Sequence, residues 1–241
     1  MHFLLTRPHD DSERFARLLI AAGHQVDSEP LLAIEYYPPA ALDLAPYQAV
    51  IFTSANGVRA FVRNSDQRGL LCFAVGDATA RAARELGFAS VIAAGGNVES
   101  LAARIAQSFA PADGALLHIS GETVAGDLVG ALQQAGYDIT RQALYRARPA
   151  TALSPAARDL LRRRQISHMP FYSPRTADTF LTLIRAAGLA DCLADVTALC
   201  LSPAVADVIS CLPWGKMLIA QRPDQTQLFQ LIDITLEEKG P

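Results

Sequence analysis

Short apolar runs alternate along this chain with segments whose apolar positions recur every three or four residues. The clearest unit is residues 49–61, AVIFTSANGVRAF. Ala49, Val50, Ile51 and Phe52 make an apolar strand that runs into Thr53-Ser54, and Val58, Phe61 and Val62 give the next segment helical spacing. A serine at such a junction caps a helix by accepting from its free amides. The same design returns in MPFYSPRTADTF, where Phe171, Ser173 and Phe180 stand 119 positions after Phe52, Ser54 and Phe61. There Pro174 takes the first helical position, where an amide has no partner to lose.

The pattern predicts a strand over 3–6 and a helix over 12–22 closed by Gly23, then an extended stretch over 24–35 and a Pro-rich connection over 36–46. Strand–helix pairs follow at 49–53 and 55–62, 71–75 and 77–86, 90–93 and 98–109, and 115–119 and 124–135. Residues 137–146 read as extended and 155–165 as a helix. Three more pairs complete the chain: 169–172 and 176–187, 196–201 and 203–211, and 216–220 and 225–236. Such alternation means βαβ units and parallel sheets.

Further separations repeat. Val75 and Ala80 align with Leu201 and Ala206 at 126 positions, and Ile92 and Leu101 with Ile219 and Leu228 at 127. Leu4, Leu19, Gly23 and Val26 align with Leu117, Leu132, Gly136 and Ile139 at 113. One half is therefore contiguous, and the other joins the first unit to the last three. The predicted fold class is α/β: two similar domains with parallel flavodoxin-like or Rossmann-like sheets, joined by a two-stranded hinge, one domain discontinuous. The expected division is 1–35 with 152–241, an inserted domain over 47–144, and hinge segments 36–46 and 145–151, with a cleft between the lobes.

Composition narrows the function. A net charge of −3 with 19% charged residues argues against a general nucleic-acid binder, which shows a basic face. No apolar run is long enough to span a membrane, and the N-terminus does not read as a signal peptide, so a cytoplasmic protein is expected. Cys72, Cys192, Cys200 and Cys211 show no metal-ligand spacing and read as small core residues in a reducing compartment. The five histidines are scattered and read as surface or boundary residues, with no metal expected. No nucleotide, zinc-protease or serine-hydrolase signature is present.

In open parallel sheets ligands bind beyond the carboxyl ends of the strands. Here those ends carry Thr6-Arg7, Thr53-Ser54, Gly76-Asp77, Gly95-Gly96, Ser120-Gly121, Ser173-Pro174 and Ser202-Pro203. Hydroxyls, glycines and helix N-termini suit anions, so a weakly acidic chain can hold a polyanion through local amides and a few arginines.

With LLTRP, IFTSANGV, VGDATA, GGNVESLA, ALYRARP and FYSP in this order, the chain resembles the uroporphyrinogen-III synthase family over essentially its whole length. The resemblance implies two α/β domains joined by a two-stranded ladder. It implies an enzyme that closes linear hydroxymethylbilane to uroporphyrinogen III, losing water and inverting the last pyrrole ring. The pyrrole nitrogen can expel the hydroxyl and a spirocyclic intermediate can follow, so no cofactor, metal or protein nucleophile is implied. The partner is then a small linear tetrapyrrole polycarboxylate, and the chain is expected to be a monomer.

By this resemblance Tyr145 matches the family's tyrosine at the end of the domain-crossing strand, where a neutral phenol can donate to the departing hydroxyl. On residues alone it reads as a half-buried strand tyrosine. Thr53, Ser54, Thr79, Gly121 and Ser173 match the turns that line the family's cleft, and helix capping is their alternative role. Arg7 is a candidate for bidentate pairing with a carboxylate, or a turn residue facing solvent. Ser202 keeps the one hydroxyl of a turn, Ser202-Pro203-Ala204-Val205, where members often carry Gly-Pro-Thr-Thr. The competing function is a two-lobed binding or regulatory module that keeps the fold without the chemistry; a flavodoxin-like cofactor protein fits less well, for want of a phosphate loop.

Overall fold

The computed structural model describes residues 1–124, 126–222 and 225–232. The chain divides into two compact units, Met1–Ala33 with Arg148–Pro241, and Ile34–Ala147. In the first, β1 (His2–Leu5), α1 (His9–Ala21) and β2 (Gln25–Ser28) open the chain. The strands β3 (Leu32–Tyr36) and β8 (Ile139–Pro149) each run across a boundary between the units. The second unit holds β4 (Tyr47–Phe52), α2 (Ala55–Val62), β5 (Leu71–Ala74), α3 (Asp77–Glu85), β6 (Val91–Ala93), α4 (Val98–Ser108), β7 (Ala115–Gly121) and α5 (Leu128–Gln134). The first resumes with α6 (Pro155–Arg162), β9 (His168–Phe171), α7 (Pro174–Ala186), β10 (Thr197–Cys200), α8 (Pro203–Ile209), β11 (Lys216–Ile219) and α9 (Gln225–Gln230). The expected continuation of α9 over 233–236 lies outside the described residues.

One sheet has the order β11-β10-β9-β1-β2 and the other β3-β8-β7-β4-β5-β6. Read from β11 and from β6, the two orders are one plan, with β3 added at the end of the second sheet. The registers agree residue by residue. Phe52 pairs with Ala74 as Phe171 pairs with Cys200, which reproduces the 119 and 126 separations. Phe3 pairs with His168 and Val26 as Leu116 pairs with Ala49 and Ile139, which reproduces 113 and 119. The 127 separation fails by one inside the strand, because Ala74 pairs with Ala93 where Cys200 pairs with Ile219. That corrects the strand alignment to 126.

These pairings are parallel, and β3 departs from them. Tyr37 N donates to Leu144 O at 2.9 Å and Ala150 N to Leu31 O at 2.9 Å, so residue numbers rise on one strand as they fall on the other, and β3 lies antiparallel to β8.

Apolar side chains pack on both faces of each sheet, as parallel sheets covered by helices require. In the second unit Val50, Phe52, Phe61, Cys72, Leu117 and Leu144 share one cluster, and Ile51, Phe73, Leu101, Leu116 and Leu132 the other. Local chemistry sets the helix starts. Ser54, Asn97, Ser154 and Ser173 each accept from an amide of the first helical turn. Three starts differ from the sequence pattern: α1 begins earlier, at His9, α7 earlier, at Pro174, and α5 later, after Asp127, whose carboxylate accepts from Gly130 N at 2.8 Å.

Candidate active site

At the carboxyl end of β7 the ladder with β8 loses its even step: Ser120 pairs with Ala143, but Gly121 pairs with Tyr145. Leu144 is the extra residue of a β-bulge. Alternation would send Leu144 and Tyr145 to opposite faces; instead both join one apolar cluster. Bulges re-aim side chains in this way. The phenol ring of Tyr145 is laid against Gly121, where an added Cβ would stand 2.9 Å from Cε2 and 3.0 Å from Cζ. Tyr145 is 8% exposed, with the Tyr36 ring 6.4 Å away. Two residues singled out from sequence are thus in direct contact.

The turn that follows is tied down. Glu122 N donates to Tyr145 O at 2.8 Å, and Tyr37 Oη to Glu122 Oε2 at 3.2 Å. Arg141 donates to Ser120 Oγ at 2.8 Å and to the carbonyls of Gly121 and Glu122 at 2.7 and 2.6 Å. Desolvation first, and then the Glu122 carboxylate beside it, raise the Tyr37 phenol above its ordinary pKa. On the neighbouring ladder Arg146 Nε donates to Glu35 Oε2 at 2.8 Å.

Thr53 follows β4 directly and lies 3.2 Å, Oγ1 to Nε2, from His118. His118 corrects the expectation of a boundary histidine: it sits within β7 at 2% exposure, and burial, then the Arg141 charge, push its pKa down to about 4. Its signal was in the strand itself, since His118 stands two residues after Leu116 in ALLHISG and so shares the face on which Leu116 packs. Ser54 caps α2, its oxygen 3.2 Å from Asn56 N. Thr79 is buried in the first turn of α3. Gly76 precedes that helix, and a Cβ there would meet the Gly96 backbone at 3.3 Å.

The carboxyl edge of the other sheet holds Arg7, Ser173 and Ser202, after the adjacent strands β1, β9 and β10. Ser173 Oγ accepts from Thr176 N at 3.2 Å and lies 2.9 Å from Thr176 Oγ1. Ser202 precedes α8 without a side-chain cap bond. The Arg7 guanidinium lies over the Tyr172 ring, 4.3 Å from its centroid, with Asp11 at 3.6 Å. Burial holds the Tyr172 phenol above its ordinary pKa, against the opposing charge of Arg7.

Among the described residues no group of three or more His, Cys, Asp or Glu side chains is placed to hold a metal ion. Cys72 and Cys200 are core residues, but Cys211 is exposed, against expectation, and its sulfur accepts from Arg185 at 3.0 Å.

The family model described as Uroporphyrinogen-III synthase HemD matches residues 13–230. The chain belongs to the uroporphyrinogen-III synthase family. Two solved structures are similar to it in fold. The uroporphyrinogen-III synthetase of Helicobacter pylori has a TM-score of 0.65 at 19% identity, covering 96% of this chain and 97% of that one. A mutant uroporphyrinogen III synthase of the extremely thermophilic bacterium Thermus thermophilus has a TM-score of 0.53 at 17% identity, covering 97% and 98%. No curated protein matches the chain by sequence. Membership of the uroporphyrinogen-III synthase family makes the chain a cyclising lyase of haem biosynthesis that acts on a tetrapyrrole. Nothing in these comparisons favours a binding module without catalysis. Among the described residues no helix is long and apolar enough to cross a membrane.

Proposed function

We propose that this chain closes hydroxymethylbilane to uroporphyrinogen III with Tyr145 as the proton donor to the departing hydroxyl. The observation that carries the assignment is the bulge at Leu144, which lays the phenol on Gly121 at the carboxyl end of β7. A phenol stays protonated at neutral pH, its pKa being about 10, and so can donate. The pyrrole nitrogen supplies the electron pair that expels the hydroxyl; proton donation assists it. The substituted carbon of ring D then attacks, and the spirocyclic intermediate fragments and recloses. Shape does most of the work, because the reacting carbons must be held together before the unassisted closure occurs.

The substrate's carboxylates are assigned to the strand ends. In one unit Thr53, Ser54 and Thr79 offer hydroxyls and first-turn amides beside the Gly121 turn, and in the other Arg7 offers its guanidinium and Ser173 and Ser202 their hydroxyls. A capping serine leaves the neighbouring amides of the first turn for an anion, so capping and binding are compatible roles. The protein works as a cytoplasmic monomer in this reading.

A coupled assay tests it. Hydroxymethylbilane is generated in situ, and the oxidised porphyrin isomers are separated by chromatography. A dominant isomer III peak that scales with added protein is expected. Isomer I alone, from a folded sample, would overturn the reading in favour of a binding module.

A further inference from the structure

His118 is a titratable side chain that the reaction above does not use, and the fold does not need it. The repeat makes this visible. At the 113 and 119 separations, His118 and Thr53 of one unit occupy the positions of Leu5 and Tyr172 in the other. Leu5 and Tyr172 belong there to one apolar cluster, so the same scaffold closes with an aliphatic residue at this strand position. In place of that leucine, β7 buries an imidazole with only half of its polar atoms satisfied. Nε2 meets Thr53 Oγ1 at 3.2 Å, while Nδ1 is buried without a hydrogen-bond partner among the described residues. A buried polar atom left unpaired costs stability, and one that persists calls for a reason.

The unpaired nitrogen also indicates the tautomer. A neutral imidazole carries one N–H. The tautomer with the proton on Nε2 and the bare lone pair on Nδ1 is the one that leaves no buried N–H without a partner. Nε2–H then donates to Thr53 Oγ1. With one lone pair of the hydroxyl so engaged, its own proton is left for another acceptor at the carboxyl end of β4. The proximity of Arg141, paired to His118 across the β7–β8 ladder, helps keep the ring uncharged.

We propose that His118 is a positioning residue that fixes the hydroxyl rotor of Thr53 as an outward hydrogen-bond donor to a substrate carboxylate. This rests on the assignment of Thr53 to the substrate edge. Ring and hydroxyl form a preset donor in the unit that also carries Tyr145, whereas Tyr172 at the matching place in the other unit stacks beneath Arg7.

The test is a double-mutant cycle in the full chain, with His118→Leu, Thr53→Val and both together, read by the isomer III assay. If His118 acts through Thr53, each single change raises KM about tenfold, the worth of one hydrogen bond, with little change in kcat. The double variant is then no worse than Thr53→Val alone. His118→Gln, which keeps a donor near the Nε2 position, recovers most of the loss. His118→Leu melts no lower than wild type, since the other unit already carries leucine there. Additive losses in the double variant, or an unchanged KM in a folded His118→Leu, would overturn the proposal. Nitrogen-15 NMR of the wild-type imidazole gives a reading independent of turnover, and a proton on Nδ1 would overturn the proposal whatever the assay returns. Should wild type yield only isomer I, the synthase reading fails by itself. The NMR result and the coupling of Thr53 with His118 in melting temperature then decide whether the preset hydroxyl exists.

Discussion

Tyr145 and Gly121 form a pair in which each residue explains the other. Replacing the phenol by Phe keeps the ring on Gly121 and removes only the hydroxyl. Since the pyrrole supplies most of the electronic push, the expected loss in kcat is about tenfold, short of the roughly hundredfold or more a required general acid contributes. A folded but inactive Phe variant in the isomer assay would make the phenol indispensable. Gly121→Ala does the opposite, leaving the phenol and moving the ring, because its Cβ would stand 2.9 Å from Cε2. That overpacking costs about 1–3 kcal/mol, read in urea denaturation, and lowers activity at least as far as Tyr145→Phe. Adding Tyr145→Ala to it relieves the overpacking but opens a cavity in the same cluster, so neither stability nor rate returns. His118 sets a pH dependence at the same scale. Its folded pKa of about 4 lies below the ordinary 6.5, so the unfolded chain takes up the proton first. Stability is then unaffected above about pH 6.5 and falls as pH drops from there toward 4, by about 3 kcal/mol in all. His24 and His168, also lowered by burial, add slope of the same sign. His118→Leu removes only its own share, so its stability curve flattens between about pH 6.5 and 5 relative to wild type.

Elements were legible where chemistry is local. The strands end at hydroxyl and glycine turns because a cap must sit where a strand gives way to a helix, and Ser54 and Ser173 are such caps in the structure. Their N-terminal placement follows from side chain and amide within three residues, which sequence spacing encodes directly. Non-local geometry was not legible. The bulge at Leu144 depends on how β8 registers against β7, a strand well upstream in the chain, and no spacing within ALYRARP records it. The burial of His118 was half legible, since strand alternation points it inward while its polarity argues the reverse. α5 began late because Asp127, rather than the hydroxyl-bearing turn before it, supplies the cap. The two serines that precede α7 and α8 separate these effects experimentally. Ser173 accepts from Thr176 N, so Ser173→Ala costs about 1 kcal/mol, whereas Ser202 makes no such bond and Ser202→Ala costs a few tenths. Urea midpoints of the two variants check this. If Ser202→Ala nevertheless raises KM in the isomer assay, the hydroxyl left in that altered turn serves substrate rather than fold.

At the scale of the molecule, duplication and discontinuity make unequal demands on the chain. Residues 34–147 carry a complete set: β8, β7, β4, β5 and β6 in unbroken order, α2 to α5, and apolar clusters on both sheet faces drawn from that segment alone. The other unit is completed from a distance. β1 lies between β9 and β2, and Phe3, Leu5, Phe15 and Leu19 from the first segment share a cluster with Leu199, Leu228 and Phe229 from the last. Without the first segment β9 would become an unpaired edge, and four fully packed side chains would leave that face. Large core deletions of even one such side chain cost about 2–5 kcal/mol, and a domain holds only about 5–15 kcal/mol in reserve. Residues 34–147 expressed alone should therefore fold, giving a cooperative melt by circular dichroism and slow amide exchange in β4 and β7. Residues 148–241 alone should not, and adding residues 1–33 as a separate peptide should restore a cooperative melt. A cooperative transition in the unaided 148–241 fragment would mean that β9, β10 and β11 with their helices form a sufficient core, and that the first segment was added to a unit already able to stand.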